Sequence, residues 1–197
     1  MAWDELGRDA ADANQRDRDK WIAVYIGLLA VALAICSMGG DNASKEATLR
    51  NIEAANTWAF FQAKNMRRHV LRVENDTWAI KLATDKSLVD ADKALITTKI
   101  DEYKKQIDIL TKDDKDEGLD QLWQKGKDLE AARDVAMTKD PYFDYAAALL
   151  QIAIVLASVS IISGGTMLIA ISGALGAAGM FLTFNGFTLA YALPFIG

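Results

Sequence analysis

Hydrophobic and charged positions are segregated along this chain. One stretch, Trp21 to Gly40, and another, Tyr145 to Gly197, contain no Asp, Glu, Lys or Arg, so all 22 basic and 27 acidic residues lie elsewhere. A water-soluble fold carries charge on every surface element, and segregation of this kind predicts a chain solvated by two media. The expected fold is an all-α integral membrane protein with three transmembrane helices and a helical, coiled-coil-like insert between the first and the second.

The first span, within residues 21–40, follows a charged N-terminal segment, 1–20. From Trp21 to Met38 it covers about 27 Å as a helix, close to the hydrocarbon thickness of a bilayer. Trp21 and Tyr25 stand at its start, where amphipathic rings favour the interface. A cleaved signal peptide fits poorly, because the preceding segment is long and rich in acidic residues and no Ala-x-Ala cleavage site follows.

Asp140-Pro141 reads as the start of a second membrane helix, 141–163, with Asp as cap and Pro at the first helical position. Ser163-Gly164-Gly165 is a tight, uncharged reversal. It leads to a third helix, 166–188, whose end Asn185-Gly186 marks, and then an apolar tail, 189–197, in which Pro194 opposes regular helix. The third span carries Gly173, Gly176 and Gly179, with Ser172 and Gly176 forming a small-xxx-small pair. Lipid supplies no hydrophobic force between helices, so close approach of small-residue faces favours packing, within the hairpin or between subunits. Gln151, strongly polar in mid-span, is expected to bond across to another helix, with a pore-lining role the weaker alternative.

The insert, 41–140, is expected to be a soluble helical hairpin or coiled coil. Helix A, about Asn42 to Leu82, places Leu49, Ile52, Ala59, Met66, Val70 and Val73 on one face. Helix B, about Ser87 to Leu110, places Ile96, Ile100, Tyr103, Ile107 and Leu110 at alternating spacings of four and three, a coiled-coil seam. Helix C, about Leu119 to Met137, is expected to bury Leu122, Leu129 and Ala136, with Gly126 weakening it. Long narrow helices make little core, so their apolar faces need another hairpin, from the same chain or a second copy, and a homo-oligomer is the expected state.

Chemistry adds little. The net charge of −5 argues against nucleic acid as a partner. One histidine, His69, and one cysteine, Cys36, supply neither a nucleophile–base pair nor a zinc site. The acidic run from Thr111 to Asp120 lacks calcium-loop spacing: counted from Asp114, the fifth position is Gly118. No catalytic residue, cofactor or metal is expected, and an enzyme is not.

Two segments, Asn56 to Val70 (NTWAFFQAKNMRRHV) and Tyr142 to Ser160 (YFDYAAALLQIAIVLASVS), resemble the signature stretches of a bacterial family called domain of unknown function 4337. The order of parts is similar along nearly the whole chain, while the insert and final tail show no family pattern. The resemblance implies a bacterial inner-membrane protein and transfers no activity. In the first segment, Trp58, Phe60 and Phe61 occupy too much of the helix circumference for one partner, so all three are expected to pack between helices or subunits, with a ligand site the weaker alternative. Arg67, Arg68 and Arg72 form a basic patch with Lys64, expected to pair with acidic residues of other helices.

Arg8, Arg16, Arg18 and Lys20 precede the first span, against Lys45 and Arg50 soon after it. The positive-inside rule then puts the N-terminus in the cytoplasm and the insert in the periplasm, although Lys125, Lys127, Arg133 and Lys139 oppose this. The functional expectation is a structural or scaffolding protein that self-associates in the lipid bilayer. The alternatives are an accessory subunit of a larger membrane complex and a small oligomeric channel or transporter.

Overall fold

A computed structural model of the protein describes residues 2–113 and 118–193, with side chains from residue 15 onward. Asp114, from which the calcium spacing was counted, and Pro194 lie outside the described residues. The described chain forms helices α1 (Ala2–Thr84), α2 (Asp90–Thr111), α3 (Leu119–Ser163) and α4 (Thr166–Thr188), with no strand among the described residues. It divides into two compact units, Met1–Ala47 with Asp134–Gly197, and Thr48–Arg133.

Two expected boundaries are absent. The first span and helix A are a single helix, α1, and helix C and the second span are a single helix, α3. Pro141 therefore lies inside α3 and not at a helix start. It withholds an N–H from the carbonyl of Met137, a local loss the flanking helical residues outweigh. Gly39-Gly40 does not break α1, because packing holds it: a Cβ on Gly39 would lie 2.5 Å from the Phe143 ring and 2.8 Å from that of Phe187.

In the first unit, buried residues repeat at helical spacing. Ile22, Leu29, Cys36 and Ala43 recur every seven residues on α1, and Ala146, Leu150, Ala153, Ala157 and Ser160 alternate spacings of four and three on α3. On α4 the inward row is Ser172, Gly176, Gly179 and Leu182. The α3–α4 turn relies on Gly164 at φ 70°, a left-handed conformation that a Cβ would strain. Its carbonyl accepts a 2.9 Å hydrogen bond from the Arg18 guanidinium, and Ser160 Oγ donates to the Gly165 carbonyl at 2.8 Å.

Asn185-Gly186 does not end α4. The helix runs on to Thr188 and stops at Leu189, at φ 49°, whose N–H bonds the Asn185 carbonyl at 2.7 Å. The fully buried Asn185 amide clasps the returning tail, donating to the Tyr191 carbonyl (2.8 Å) and accepting from the Tyr191 N–H (2.9 Å). Tyr142 joins it, its hydroxyl donating to the Tyr191 carbonyl and accepting from the Leu193 N–H.

In the second unit, α1 turns Ala54, Thr57, Trp58 and Phe61 inward, while Phe60, expected to pack with the other two aromatics, is exposed within its unit because it projects from a different side of the helix. The face expected to be covered, Leu49, Ile52, Ala59, Met66, Val70 and Val73, is exposed. The aromatic row wins the intrachain contact because it offers more area to bury. From α2 come Ile96, Ile100 and Leu110, and from α3 Leu119 and Leu122; Leu129 is half-buried. The α1–α2 turn is held by Asp85, whose carboxylate accepts from the Ser87 hydroxyl and N–H and is thereby kept below its ordinary pKa.

Gly126 is the point at which α3 closely approaches Trp58. A Cβ there would sit 2.8 Å from the Trp58 indole. Alanine is worth about 1 kcal/mol more than glycine in a helix, yet Gly126→Ala is expected to lower the melting temperature, because the ring must leave its seat. Thermal melting followed by circular dichroism checks this, and a raised melting temperature would count against the packed indole.

Candidate functional site

The first unit contains the site that sequence had marked as a helix-packing seam. Ser172, fully buried, donates from Oγ to the Ala153 carbonyl at 2.6 Å. The Tyr25 hydroxyl of α1 bonds the Ser172 carbonyl at 3.0 Å and lies 3.3 Å from Ser172 Oγ. One small residue thus ties three helices together. A Cβ on Gly176 would meet Leu29 and the Tyr25 hydroxyl, each at 2.9 Å. One on Gly179 would meet Leu150 at 2.8 Å and the Ala146 carbonyl at 3.1 Å. Ser172, Gly176 and Gly179 therefore pack inside the chain. Gly173 differs, with open space where its Cβ would be, and Gln151 is exposed on the outer side of α3.

Beside this seam lies a polar cleft of about 300 Å³, lined by Cys36, Ser37, Ser44 and the carboxylates of Asp41, Asp140 and Asp144. The thiol itself is engaged, donating to the Phe143 carbonyl at 3.2 Å. Burial, and then the neighbouring Asp144, raise the pKa of Asp140 above its ordinary value. No group of three or more His, Cys, Asp or Glu among the described residues is placed to hold a metal ion.

In the second unit, Trp58 and Phe61 meet edge to face, with centroids 5.6 Å apart and planes at 83°. The indole N–H donates to Glu130 at 2.9 Å, and the Lys127 ammonium sits over the ring at 5.7 Å. Hydrogen bonds from Lys127 and then Trp58 hold Glu130 below its ordinary pKa. Of the helix B seam, Ile96, Ile100 and Leu110 are buried, and Tyr103 and Ile107 half-buried, within this unit. Of the basic patch, Arg68 bonds the Asn65 side chain at 2.8 Å and the Thr111 hydroxyl at 3.4 Å. It thus faces neutral polar groups, where the sequence had led us to expect carboxylates. A shallow cavity of about 330 Å³ borders Gln62, Met66, His69 and Arg72. Reasoning from sequence missed the Asn185–Tyr142 clasp, since Asn-Gly near a helix end reads as a stop signal.

Among the described residues these features define an all-helical architecture, with three helices long and apolar enough to cross a membrane. A family model described as Domain of unknown function (DUF4337) matches residues 18–189, and the chain belongs to that family. No curated protein and no solved structure matches the chain.

Two tests follow from the site. Gly179→Ala sets a methyl group against backbone, where nothing can yield cheaply. It is expected to destabilise the first unit by about 1–3 kcal/mol, while Gly173→Ala leaves stability unchanged or slightly raised. Melting of both variants in the same detergent checks this, and equal behaviour would remove the distinction drawn between the two glycines. For Asp140, a folded pKa above the unfolded one means that its contribution to stability is present below the ordinary aspartate range and is lost as pH rises through the folded value. Asp140→Asn is therefore expected to melt slightly higher than the unaltered protein at neutral pH, with the difference vanishing in acid, as melting curves across pH will reveal.

Proposed function

We propose that this protein is an integral membrane protein of the bacterial inner membrane that self-associates and serves a structural or scaffolding role. The observation that carries the membrane reading is an uncharged, apolar outer surface around a closely packed bundle. In the first unit small residues, among them Cys36, Ala146, Ala153, Ser172, Gly176 and Gly179, sit inward beside larger ones such as Leu29 and Leu150. Large apolar residues also face outward: Leu28, Val31, Val155, Ile162, Met180 and Phe184. In water, contiguous apolar surface of this extent drives association. In lipid it is the comfortable arrangement, with small residues letting backbones approach and large ones meeting acyl chains.

The positive-inside bias supports a cytoplasmic N-terminus and a periplasmic insert. Self-association is supported by the exposed apolar residues of the insert, which water covers poorly. Gln151, facing outward from α3, favours a further helix neighbour in the bilayer. That neighbour is supplied by a second copy, or by another chain if the protein is an accessory subunit.

Gentle detergent extraction followed by mass measurement tests both parts. The expected particle is a discrete oligomer of this chain that stays with the membrane through an alkaline carbonate wash. A strictly monomeric particle overturns self-association, and release by carbonate overturns the membrane reading.

A further inference from the structure

The exposed face of α1 in the second unit carries a regular repeat. Counted in sevens, one set of positions is Leu49, Asn56, Ala63, Val70 and Thr77, and the other is Ile52, Ala59, Met66, Val73 and Ile80. These alternate spacings of three and four from residue 49 to residue 80, the a and d pattern of a coiled coil, over about 48 Å of helix. Eight of these ten positions are apolar, and the larger ones, Leu49, Ile52, Met66, Val70, Val73 and Ile80, are 52% to 65% exposed. The intrachain contacts of α1 use other positions: Ala54 and Phe61 fall at f, Thr57 at b and Trp58 at c. The helix therefore has two faces, one filled by its own unit and one open with a period matched to a partner helix.

We propose that this open face is the seam of a parallel, two-stranded coiled coil with the same helix of a second copy of the chain. The inference rests on the self-association reading and gives it a surface and a direction. Three observations select the partner. A helix that repeats every 3.5 residues is complementary to a helix of the same repeat, and two copies supply this by symmetry. The flanking charges also match. In a parallel pair each g position faces the e position five residues later on the other helix, which sets Gln62 against Arg67, His69 against Glu74 and Asp76 against Lys81. No like charges meet. Antiparallel overlap of the same stretch would set Glu53 against Glu74 of the second copy, twice. Finally, Asn56 at an a position meets its own equivalent only in the parallel arrangement, where the two amides bond each other and fix register and strand number. Two copies inserted the same way in one bilayer also leave it in the same direction, which makes a parallel pair the accessible one.

The test is oxidative cross-linking of the full chain in native membrane vesicles. Ala59→Cys places a thiol at a d position, opposite its own equivalent, and alters the exposed surface by little. Ala79→Cys, at an exposed c position on the same helix, is the control, and the unaltered protein with its buried Cys36 is the baseline. The expected result is a disulfide-linked dimer for Ala59→Cys and not for the other two. In parallel, Val73→Asp places a charge in the seam at a position that is already exposed, and is expected to convert the detergent-extracted dimer to monomer with helix content unchanged. Cross-linking of Ala59→Cys no greater than that of Ala79→Cys, or an oligomer indifferent to Val73→Asp, overturns the coiled coil while leaving self-association through another surface. A monomeric unaltered protein overturns both.

Discussion

Close backbone approach in the first unit depends on what its residues lack. Where α4 meets α1 and α3, the contact row is Ser172, Gly176 and Gly179, set against Tyr25, Leu29, Leu150 and Ala153. Dispersion contacts and hydrogen bonds hold this row together, and both fall off steeply with distance. Removing side chains brings the Ser172 hydroxyl within 2.6 Å of a backbone carbonyl on α3. It also leaves the Tyr25 hydroxyl a backbone acceptor on α4. The remaining devices, the Arg18 bond to the Gly164 turn and the Asn185–Tyr142 clasp on the tail, secure helix ends that the seam has already brought together.

The second unit solves a different problem with different chemistry. It buries aromatic area: Trp58 lies on Gly126, meets Phe61 edge to face, and hands its N–H to Glu130. Its exposed ion pairs, such as Lys99–Glu102 and Lys93–Asp90, add little stability individually and serve mainly solubility. What it leaves open is the apolar row of α1 from Leu49 to Ile80, which its own unit does not cover. The helix thus carries an aromatic face filled by its own unit and a heptad-spaced face that its unit leaves exposed.

The seam of small residues, the Trp58 and Phe61 anchors and the α2 row were all legible in the sequence, because each follows from residue type and spacing alone. What they pack against was not. The row Ile96, Ile100, Tyr103, Ile107 and Leu110 looks the same whether its partner is the same chain or another, and the structure places it inside its own unit. The face of Leu49 and Met66 was recognised as one face, yet nothing in its periodicity says that the aromatic face beside it would take the intrachain contact. Gly126 reads as a defect by propensity and is a seat for Trp58 in the fold.

By itself the sequence determined the number of long apolar helices, the charged insert between the first and second, and the uncharged reversal at Gly164, since these depend on local composition and on which residues tolerate a left-handed backbone. Only the tertiary structure decided that α1 runs unbroken through Gly39-Gly40, that α3 passes through Pro141, and that Asn185 closes on the tail instead of ending its helix. A weak local signal, whether a glycine pair, a proline or an Asn-Gly step, shifts the backbone preference by a few kcal/mol at most. At Gly39 the rings of Phe143 and Phe187, distant in the chain, outweigh it; at Pro141 the flanking helical residues do; and at Asn185 the returning tail does, itself held by Tyr142 of α3.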